Sequence, residues 1–367
     1  MNPLLKLADL GQSYWLDNLT RRMIENGELK ARVEKEGLRG ITSNPSIFSK
    51  AISKSEDYTA QIREARAAGG NVEAVYEALA TSDIRNACDI LRPVFDQSGG
   101  SDGFVSLEVS PRLARDTETS IAEGRRLWQA VDRPNLLIKI PGTKEGVPAI
   151  EQLLFEGINV NVTLLFSIDS YQAVAEAHMR ALERRVAAGQ PIGAVASVAS
   201  FFLSRIDVLI DGLLKERMAE HPQARDLLGK AGIANAKLAY RQFKRSIGSA
   251  RWQALAAKGG HVQRMLWAST STKNPDYSDV MYVDALIGPH TVNTLPEETI
   301  TAFADHGTAA NTVEDGMDDA VATMAAIAKL GIDFAKATRQ LEDEGIQKFI
   351  DPYDSLMEAL ERRCASL

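Results

Sequence analysis

The stretch Asn135–Ile140 reads NLLIKI, and Phe104–Ser110 (FVSLEVS) and Asn159–Leu164 (NVNVTL) share its pattern of an aliphatic residue at every second position. Side chains point alternately to the two faces of a β-strand, so the pattern predicts three strands that each have one aliphatic face. The opposite faces carry polar side chains, among them Glu108 and Lys139. Helices packed against a parallel sheet bury the aliphatic faces, and the polar faces are therefore predicted to meet on the other side.

Five further short segments also predict strands. The eight predicted strands are Ser13–Leu16, Gly40–Ser43, Phe104–Val109, Leu136–Ile140, Val160–Leu165, Ala194–Phe201, Arg264–Ala268 and Thr291–Thr294. Between them apolar residues recur every three or four positions, which is typical of amphipathic helices. Eight strands joined mostly by helices predict an α/β fold, the (β/α)8 or TIM barrel. Glu108, Lys139 and Thr163 would then point inward near the carboxyl ends of their strands, where barrel enzymes place their chemistry.

A barrel core needs only about 250 residues. The remaining residues are predicted to form additional helices between strands 2 and 3, over Tyr58–Leu91, and at the C-terminus, over Asp318–Cys364. No stretch rich in proline, glycine or serine divides the chain, so we expect residues 1–367 to form a single barrel domain with a C-terminal helical extension.

The charge balance and the cysteines indicate which functional classes and which cellular compartment the protein belongs to. The 367 residues include 42 basic and 49 acidic side chains, a formal net charge of −7, whereas a dedicated nucleic-acid binder normally has a basic excess. The two cysteines, Cys88 and Cys364, lie far apart, which indicates a reducing compartment. The N-terminal segment is interrupted by charges, and the weakly polar run Ile192–Leu203 is too short to span a bilayer. These features predict a cytoplasmic protein with no nucleic-acid or membrane partner.

Lys139 lies between two isoleucines of a predicted central strand, where a buried cation is costly. Its ammonium group could reach water at the strand end, or it could form a structural ion pair with Glu108. Alternatively, the deprotonated amine could attack a carbonyl group and form a Schiff base. That reaction needs a proton carrier, and Glu108 and Thr163 supply a carboxylate and a hydroxyl on the same predicted face. The strand pattern alone leaves these interpretations open.

Other chemistries have little support in the sequence. Neither a P-loop nor a GxGxxG motif is present, so no nucleotide cofactor is expected. No metal site is expected either, because the histidines are scattered without the spacing of metal ligands. They are His178, His221, His261, His290 and His306.

The segments Gly40–Ser46 (GITSNPS), Asn135–Pro141 (NLLIKIP) and Asn159–Ser167 (NVNVTLLFS) together resemble those of the transaldolases. The similarity runs from about Ser13 to Pro296, and the chain length resembles the longer bacterial branch of that family. The resemblance implies a cofactor-free enzyme of the pentose phosphate pathway. It would transfer a dihydroxyacetone unit from sedoheptulose 7-phosphate or fructose 6-phosphate to glyceraldehyde 3-phosphate or erythrose 4-phosphate. Phosphorylated sugars are the implied partners, and the oligomeric state stays open, a homodimer among the alternatives.

Residue by residue, the resemblance makes Lys139 the Schiff-base lysine, with Glu108 and Thr163 holding a catalytic water. Asp17 would be the acid/base for cleavage and formation of the carbon–carbon bond. The substrate-binding residues implied in the same way are Asn44, Ser200, Phe202 and Arg205, the last of them for phosphate. Without the family pattern, Asp17 could cap a helix or turn, Asn44 could belong to the turn before a proline, and Ser200 could be a small core residue.

Phosphate recognition is where the chain departs from the family. Shorter transaldolases have a second phosphate-binding arginine after the seventh strand, and here Lys273 is the candidate replacement, with Arg264 a less favoured one. Arg205 itself has a plainer interpretation as a residue on the first turn of a solvated helix, paired with Asp207 or Asp211.

Three other functions compete with sugar transfer. The nearest is a fructose-6-phosphate aldolase, which releases free dihydroxyacetone; that branch has tyrosine where this chain has Phe202 and glutamine where it has Glu108. A metal-dependent lyase on the same barrel lacks a ligand cluster in the sequence. A non-catalytic scaffold that binds partners through its C-terminal helices would leave the aligned lysine, glutamate and threonine unexplained.

Overall fold

The computed structural model describes residues 2–53 and 55–367 and shows eight parallel strands that close into a barrel in chain order. The strands are β1 (Gln12–Leu16), β2 (Gly40–Ile41), β3 (Phe104–Glu108), β4 (Leu136–Pro141), β5 (Val160–Leu165), β6 (Ser197–Phe202), β7 (Arg264–Ala268) and β8 (Thr291–Leu295). The α-helices are α1 (Pro3–Leu7), α2 (Arg21–Glu25), α3 (Glu28–Lys35), α4 (Pro45–Ser53), α5 (Thr59–Ala67), α6 (Val72–Gln97), α7 (Thr117–Val131), α8 (Gly146–Phe155), α9 (Ile168–Ala187), α10 (Ser204–Arg217), α11 (Ala231–Ile247), α12 (Ala250–Ala256), α13 (Met281–Asp284), α14 (Glu297–His306), α15 (Met317–Lys329) and α16 (Phe334–Ser366). Short 3₁₀ helices cover Glu56–Tyr58, Pro111–Leu113 and Pro222–Leu227. The predicted (β/α)8 barrel is confirmed.

Two predicted strand boundaries are wrong by more than one residue. β2 ends at Ile41 rather than Ser43, because the Ser43 carbonyl oxygen accepts a hydrogen bond from the Lys139 amine instead of from a neighbouring strand. β6 begins at Ser197 rather than Ala194, since the Ala196 N–H donates to the Asn159 side chain. Both departures come from side-chain hydrogen bonds, which the alternation of apolar residues does not encode.

The aliphatic strand faces pack outward against the helices, as predicted. Val105, Ile138 and Val160 are fully buried and share one core cluster with Ile150 of α8 and Val174 of α9. Burial of this layer contributes roughly 1.5–3 kcal/mol for each large aliphatic side chain. The outer layer therefore fixes which side chains of each strand face the barrel interior.

The predicted alternation fails at Leu164. The pairing of β5 with β6 shifts register between Val162 and Leu165, and Leu164 has a left-handed backbone with φ of 60°. Such a bulge moves the following side chains to the opposite face. Leu164 therefore packs with Phe166 and Phe202 at the end of the barrel, not with the outward layer.

The additional helices occur where they are predicted, with different bounds. α4, α5 and α6 lie between β2 and β3, and α15 and α16 follow the barrel. α16 packs against α4, α6 and α10 of its own chain. A Cβ atom added to Gly345 would lie 2.9 Å from Leu164 Cδ2, so glycine permits the close approach of α16 to β5. No helix in the described residues has the length and apolarity needed to cross a membrane.

Candidate active site

The carboxyl ends of the strands surround a cavity of about 460 Å³, named here the carboxyl-end pocket. Eight of the residues singled out in the sequence line it: Asp17, Asn44, Lys139, Thr163, Ser200, Phe202, Arg205 and Lys273. The ninth, Glu108, lies next to Lys139. The structure thus brings these nine residues together. Within the described part of the chain, no group of three or more His, Cys, Asp or Glu side chains is arranged to hold a metal ion.

Lys139 is enclosed at the base of this pocket. Its side chain is only 6% exposed, and its Nζ donates to the Ser43 carbonyl oxygen at 2.9 Å. The same nitrogen lies 3.5 Å from Glu108 Oε2, because the register of β3 and β4 pairs the two residues. The interpretation in which the ammonium group reaches water at the strand end is therefore wrong. An ion pair and a nucleophilic amine both fit this geometry.

Glu108 favours the chemical interpretation. Both of its carboxyl oxygens are buried, and neither receives a well-formed hydrogen bond from the described residues. Burial raises the pKa of the Glu108 carboxyl, with the charge of Lys139 opposing the shift. A stabilising buried ion pair normally has its remaining lone pairs satisfied. Glu108 instead keeps the capacity to bind and exchange a proton with a small polar molecule beside the amine.

Asp17 directly follows β1 and lines the same pocket. Thr42 Oγ1 donates to Asp17 Oδ1 at 2.8 Å, and Thr294 Oγ1 lies 2.6 Å from Thr42 Oγ1. Burial raises the pKa of Asp17, and the hydrogen bond from Thr42 opposes that shift. The N-cap of α2 is Thr20, so the interpretation of Asp17 as a helix cap is wrong.

A layer of polar side chains fills the barrel interior below the pocket. Ser200 Oγ donates to Asn161 Oδ1 at 2.6 Å, and Asn161 Nδ2 donates to Ser106 Oγ at 3.0 Å. These contacts join β3, β5 and β6, which confirms that the polar strand faces point inward. Ser200 is thus a hydrogen-bonded residue of the pocket wall rather than an inert core residue. Thr163 is buried and lies on the same face of β5 as Asn161, and it also lines the pocket.

α4 brings a second set of polar groups to the pocket. Asn44 Oδ1 accepts the Ile47 N–H at 3.0 Å, so Asn44 caps α4 instead of only forming a turn before Pro45. Asn44, Ser46 and Lys50 all line the pocket. Ser46 and Lys50 are four residues apart and therefore lie on one face of the helix.

Arg205, on the first turn of α10, supplies an uncompensated cation. Its guanidinium lies 5.2 Å from the centre of the Phe202 ring and 5.8 Å from that of Phe349. Nη1 is buried without a hydrogen-bond partner in the described residues, and burial lowers the pKa of Arg205. An enclosed guanidinium with free N–H groups is suited to bind an anion such as phosphate.

The proposed pairing of Arg205 with Asp207 or Asp211 is wrong. Asp207 accepts a hydrogen bond from the Tyr282 hydroxyl at 2.7 Å, and Asp211 accepts one from Tyr277 at 2.6 Å. α10 turns these two carboxylates away from the pocket, and among the described residues neither forms an ion pair with Arg205. The arginine is available to a ligand as a result.

The two candidates for a second phosphate contact lie in different places. Lys273 is exposed at the rim of the pocket and donates to Ser271 Oγ at 2.5 Å. Arg264 starts β7 at the opposite end of the barrel and donates to the Thr291 carbonyl oxygen at 2.7 Å. Arg264 therefore cannot contact a ligand of this pocket, and that alternative is wrong.

Comparison with known proteins identifies the family of the chain. The family described as transaldolase/fructose-6-phosphate aldolase matches residues 14–360. The chain belongs to this family. Transaldolase 2 of Nostoc sp. is 52% identical over 370 residues, which cover 98% of this chain and 97% of that protein. The transaldolase of Trichodesmium erythraeum is 51% identical over 374 residues, covering 100% and 98% of the two chains, and that of Thermobifida fusca is 44% identical over 366 residues, covering 100% and 99%. The resemblance noted in the sequence is confirmed.

Sequence reasoning missed three residues that shape the site: Thr42, Lys50 and Phe349. Thr42 lies in the GITSNPS segment, and its hydroxyl could have been paired with Asp17 once the barrel was inferred. Lys50 could have been found by helical spacing from Ser46. Phe349 has no sequence signal, because α16 reaches the pocket only through tertiary packing.

Proposed function

We propose that the protein is a transaldolase that carries a dihydroxyacetone unit between sugar phosphates as a Schiff base on Lys139. The main support is the enclosed amine, 3.5 Å from a buried carboxyl group without hydrogen-bond partners, in a pocket that also holds Asp17 and Arg205. The donors would be sedoheptulose 7-phosphate or fructose 6-phosphate. The acceptors would be glyceraldehyde 3-phosphate or erythrose 4-phosphate, and the reaction needs no cofactor.

The first stage joins the donor to Lys139. The neutral amine attacks the C2 carbonyl carbon of the ketose phosphate, the N–C bond forms, and the carbonyl oxygen takes up a proton. Loss of this hydroxyl as water gives the iminium. Glu108 and Thr163 would hold the water that carries these protons, and the raised pKa of Glu108 suits a group that must both bind and release a proton.

The second stage breaks the carbon–carbon bond. Asp17 takes the proton of the C4 hydroxyl, and the electron pair of the C3–C4 bond moves toward the iminium nitrogen. An aldose phosphate leaves, and a three-carbon enamine remains on Lys139. An acceptor aldose phosphate reverses the steps: the enamine carbon attacks its aldehyde carbon, Asp17 returns the proton, and water releases the new ketose from the amine.

Borohydride trapping tests the covalent step. Reduction in the presence of fructose 6-phosphate should add the mass of the reduced three-carbon or six-carbon adduct to the peptide that contains Lys139. Reduction without the sugar is the control and should leave this peptide unchanged. Labelling at Lys144 or Lys273 instead would contradict the assignment of the nucleophile.

The aldolase alternative differs in what happens to the enamine. Phe202 and Glu108 both depart from the tyrosine and glutamine of the aldolase branch, which supports transfer over release. With fructose 6-phosphate alone, we expect dihydroxyacetone to appear much more slowly than sedoheptulose 7-phosphate forms when erythrose 4-phosphate is present. Equal rates would favour the aldolase.

The cysteines and the charge of the pocket indicate the cellular compartment and the small-molecule partners of the protein. Cys88 and Cys364 are both buried and unpaired, which fits a reducing compartment such as the cytoplasm. Phosphorylated sugars are the proposed small-molecule partners, because the half-buried guanidinium of Arg205 can bind an anion in the pocket.

A further inference from the structure

A second cavity lies at the opposite end of the barrel, where the strands begin. Its volume is about 520 Å³, and its wall includes Gln12 and Ser13 of β1, Phe104 of β3 and Arg264 of β7. The proposed reaction uses none of these residues. We name it the amino-end cavity, defined by Arg39, Asp102, His261, Arg264 and His290, which line it together.

The side chains that line this cavity are mostly basic, whereas the chain as a whole has a net negative charge. The formal net charge of the protein is −7, yet two arginines and two histidines line the cavity. Among the described residues, Asp102 is the one carboxylate in its wall. Cationic groups that converge on a concave surface raise the local concentration of anions.

Asp102 compensates these cations only in part, because neutral donors occupy its oxygens. Ser13 Oγ donates to Oδ2, and Trp15 Nε1 donates to Oδ1 at 3.1 Å. Arg264 Nη1 stays 3.7 Å from Oδ1, beyond hydrogen-bond distance, and donates to the Ser101 carbonyl oxygen at 3.4 Å. Arg264 Nη2 donates to Ser13 Oγ at 2.6 Å and to the Thr291 carbonyl oxygen at 2.7 Å, so Arg264 offers an anion its charge more than free donors. Burial lowers the pKa of the Arg264 guanidinium; the charge of Asp102 opposes this shift, and the smaller effect of Arg39 adds to it. The cavity therefore retains excess positive charge.

Within the described residues, most of the hydrogen-bonding capacity of the Arg39 side chain is unused. Its Nε lies 3.4 Å from Asp102 Oδ2, and its side chain is 39% exposed. A guanidinium carries five N–H groups in a planar fork that matches two oxygens of a phosphate. His290, exposed at the rim, and half-buried His261 add two further potential donors.

We propose that the amino-end cavity binds a small phosphate monoester, with its phosphate oxygens bound by Arg39 and attracted by the charge of Arg264, and with its organic part in the remaining volume. Cavities of about 300–1,000 Å³ are typical of small-molecule sites, and this one is larger than inorganic phosphate requires. The competing interpretation is a structural cluster, since the amino-terminal face of a barrel usually serves stability.

Histidine NMR can separate this site from the carboxyl-end pocket. His261 and His290 line the amino-end cavity, whereas no histidine lines the carboxyl-end pocket. The ring signals of the full chain should be followed during titration with inorganic phosphate and, separately, glycerol 2-phosphate, at constant pH and constant ionic strength. We expect saturable shifts of both signals, with tighter binding of the ester, while the signals of His221 and His306 stay in place.

Arg39→Ala should weaken this binding at least about tenfold, the effect of losing one charge-assisted contact. Arg225→Ala, at an exposed arginine outside the cavity, is the matched control and should leave the affinity unchanged. Arg39→Gln, which keeps the length and polarity without the charge, should repeat the loss. Both Arg39 variants should keep sugar-transfer activity within about twofold of the parent, which also reports that the fold is intact.

Three results would overturn the proposal. Shifts that sodium chloride reproduces at equal ionic strength would show general screening rather than a site. Equal affinities of Arg39→Ala and Arg225→Ala would remove Arg39 from any site. Equal or tighter binding of inorganic phosphate than of glycerol 2-phosphate would contradict a site built for an ester.

Discussion

The two ends of the barrel hold cavities of similar volume but treat their buried charges differently. At the amino end, Asp102 accepts hydrogen bonds from Ser13, Trp15 and the Gly103 N–H. At the carboxyl end, both oxygens of Glu108 and one nitrogen of Arg205 lack hydrogen-bond partners in the described residues, although Glu108 Oε2 lies 3.5 Å from Lys139 Nζ. A buried charged group without a partner costs stability, so a folded protein keeps one mainly where a ligand or a reaction uses it.

Cavity size therefore does not locate the reaction. The two cavities have similar volumes, about 520 Å³ at the amino end and about 460 Å³ at the carboxyl end. The end with incomplete hydrogen bonding around a lysine and two carboxyl groups is the one suited to chemistry. Substitutions at the carboxyl end should therefore change sugar transfer, and substitutions at the amino end should change only binding in the amino-end cavity.

Lys139→Met should have the largest effect, a loss of at least about 10⁴-fold in kcat, because the methionine cannot form the covalent intermediate. The substitution keeps the length of an apolar stem, so the far-UV circular dichroism should be unchanged. Arg39→Ala, at the other end of the barrel, is the control and should retain activity. Substantial transfer by the Lys139 variant would end the Schiff-base mechanism.

Asp17→Asn should lower kcat about 10²–10⁴-fold, the usual contribution of an acid/base group, while the asparagine still accepts the hydrogen bond from Thr42. The same substitution should increase the free energy of unfolding at neutral pH. Burial raises the pKa of Asp17 in the folded protein above its pKa in the unfolded chain, which is about 4. The unfolded chain therefore loses this proton first, and the native state loses stability as the pH rises from about 4 through the folded pKa. The variant should therefore gain free energy of unfolding over the parent at pH 7.5 but not at pH 4.

Urea unfolding at the two pH values measures this difference. Equal stability of variant and parent at both values would show that Asp17 is solvated like an ordinary surface carboxylate. An inactive but more stable variant would instead be the signature of a group kept for function at a cost to the fold.

The sequence predicted the barrel and the polar ring around Lys139, because period-two alternation reports directly which side chains share a strand face. It did not predict the reversal at Leu164, since a one-residue bulge depends on pairing with β6 rather than on local composition. It also missed Phe349, which α16 brings over Lys139 through contacts distant in the chain. The role of each site residue, and the single-domain organisation, remain predictions from pattern and resemblance.

Arg205→Ala should raise KM for fructose 6-phosphate about 10–100-fold, the loss of one or two charge-assisted hydrogen bonds in an enclosed site. The use of unphosphorylated fructose should hardly change, because that sugar has no group for the guanidinium to bind. Arg39→Ala again serves as the control and should change neither KM. Equal losses on both sugars would remove Arg205 from phosphate binding and assign it a packing role against Phe202 and Phe349.

The smallest effects should come from Lys50 and Lys273, the two exposed lysines at the rim of the carboxyl-end pocket. Each holds its charge in water, where a single ionic contact is worth roughly 0.2–1 kcal/mol and is screened by salt. Lys50→Ala and Lys273→Ala should each raise KM for fructose 6-phosphate about 1.5–5-fold.

Salt dependence decides whether these lysines take the place of the second phosphate-binding arginine of the shorter transaldolases or only attract the substrate. A general attraction should fade at about 0.5 M sodium chloride, where the Debye length is only about 4 Å. A direct contact with the phosphate should keep most of its effect, since a bound group is screened less than one in open solvent. Lys329→Ala, on α15 and outside the pocket, is the matched control and should leave KM unchanged at either salt concentration. If the effect of Lys273→Ala persists in salt and that of Lys50→Ala does not, Lys273 is the second phosphate contact. If only the effect of Lys50→Ala persists, the contact is Lys50, on the face of α4 that also carries Ser46.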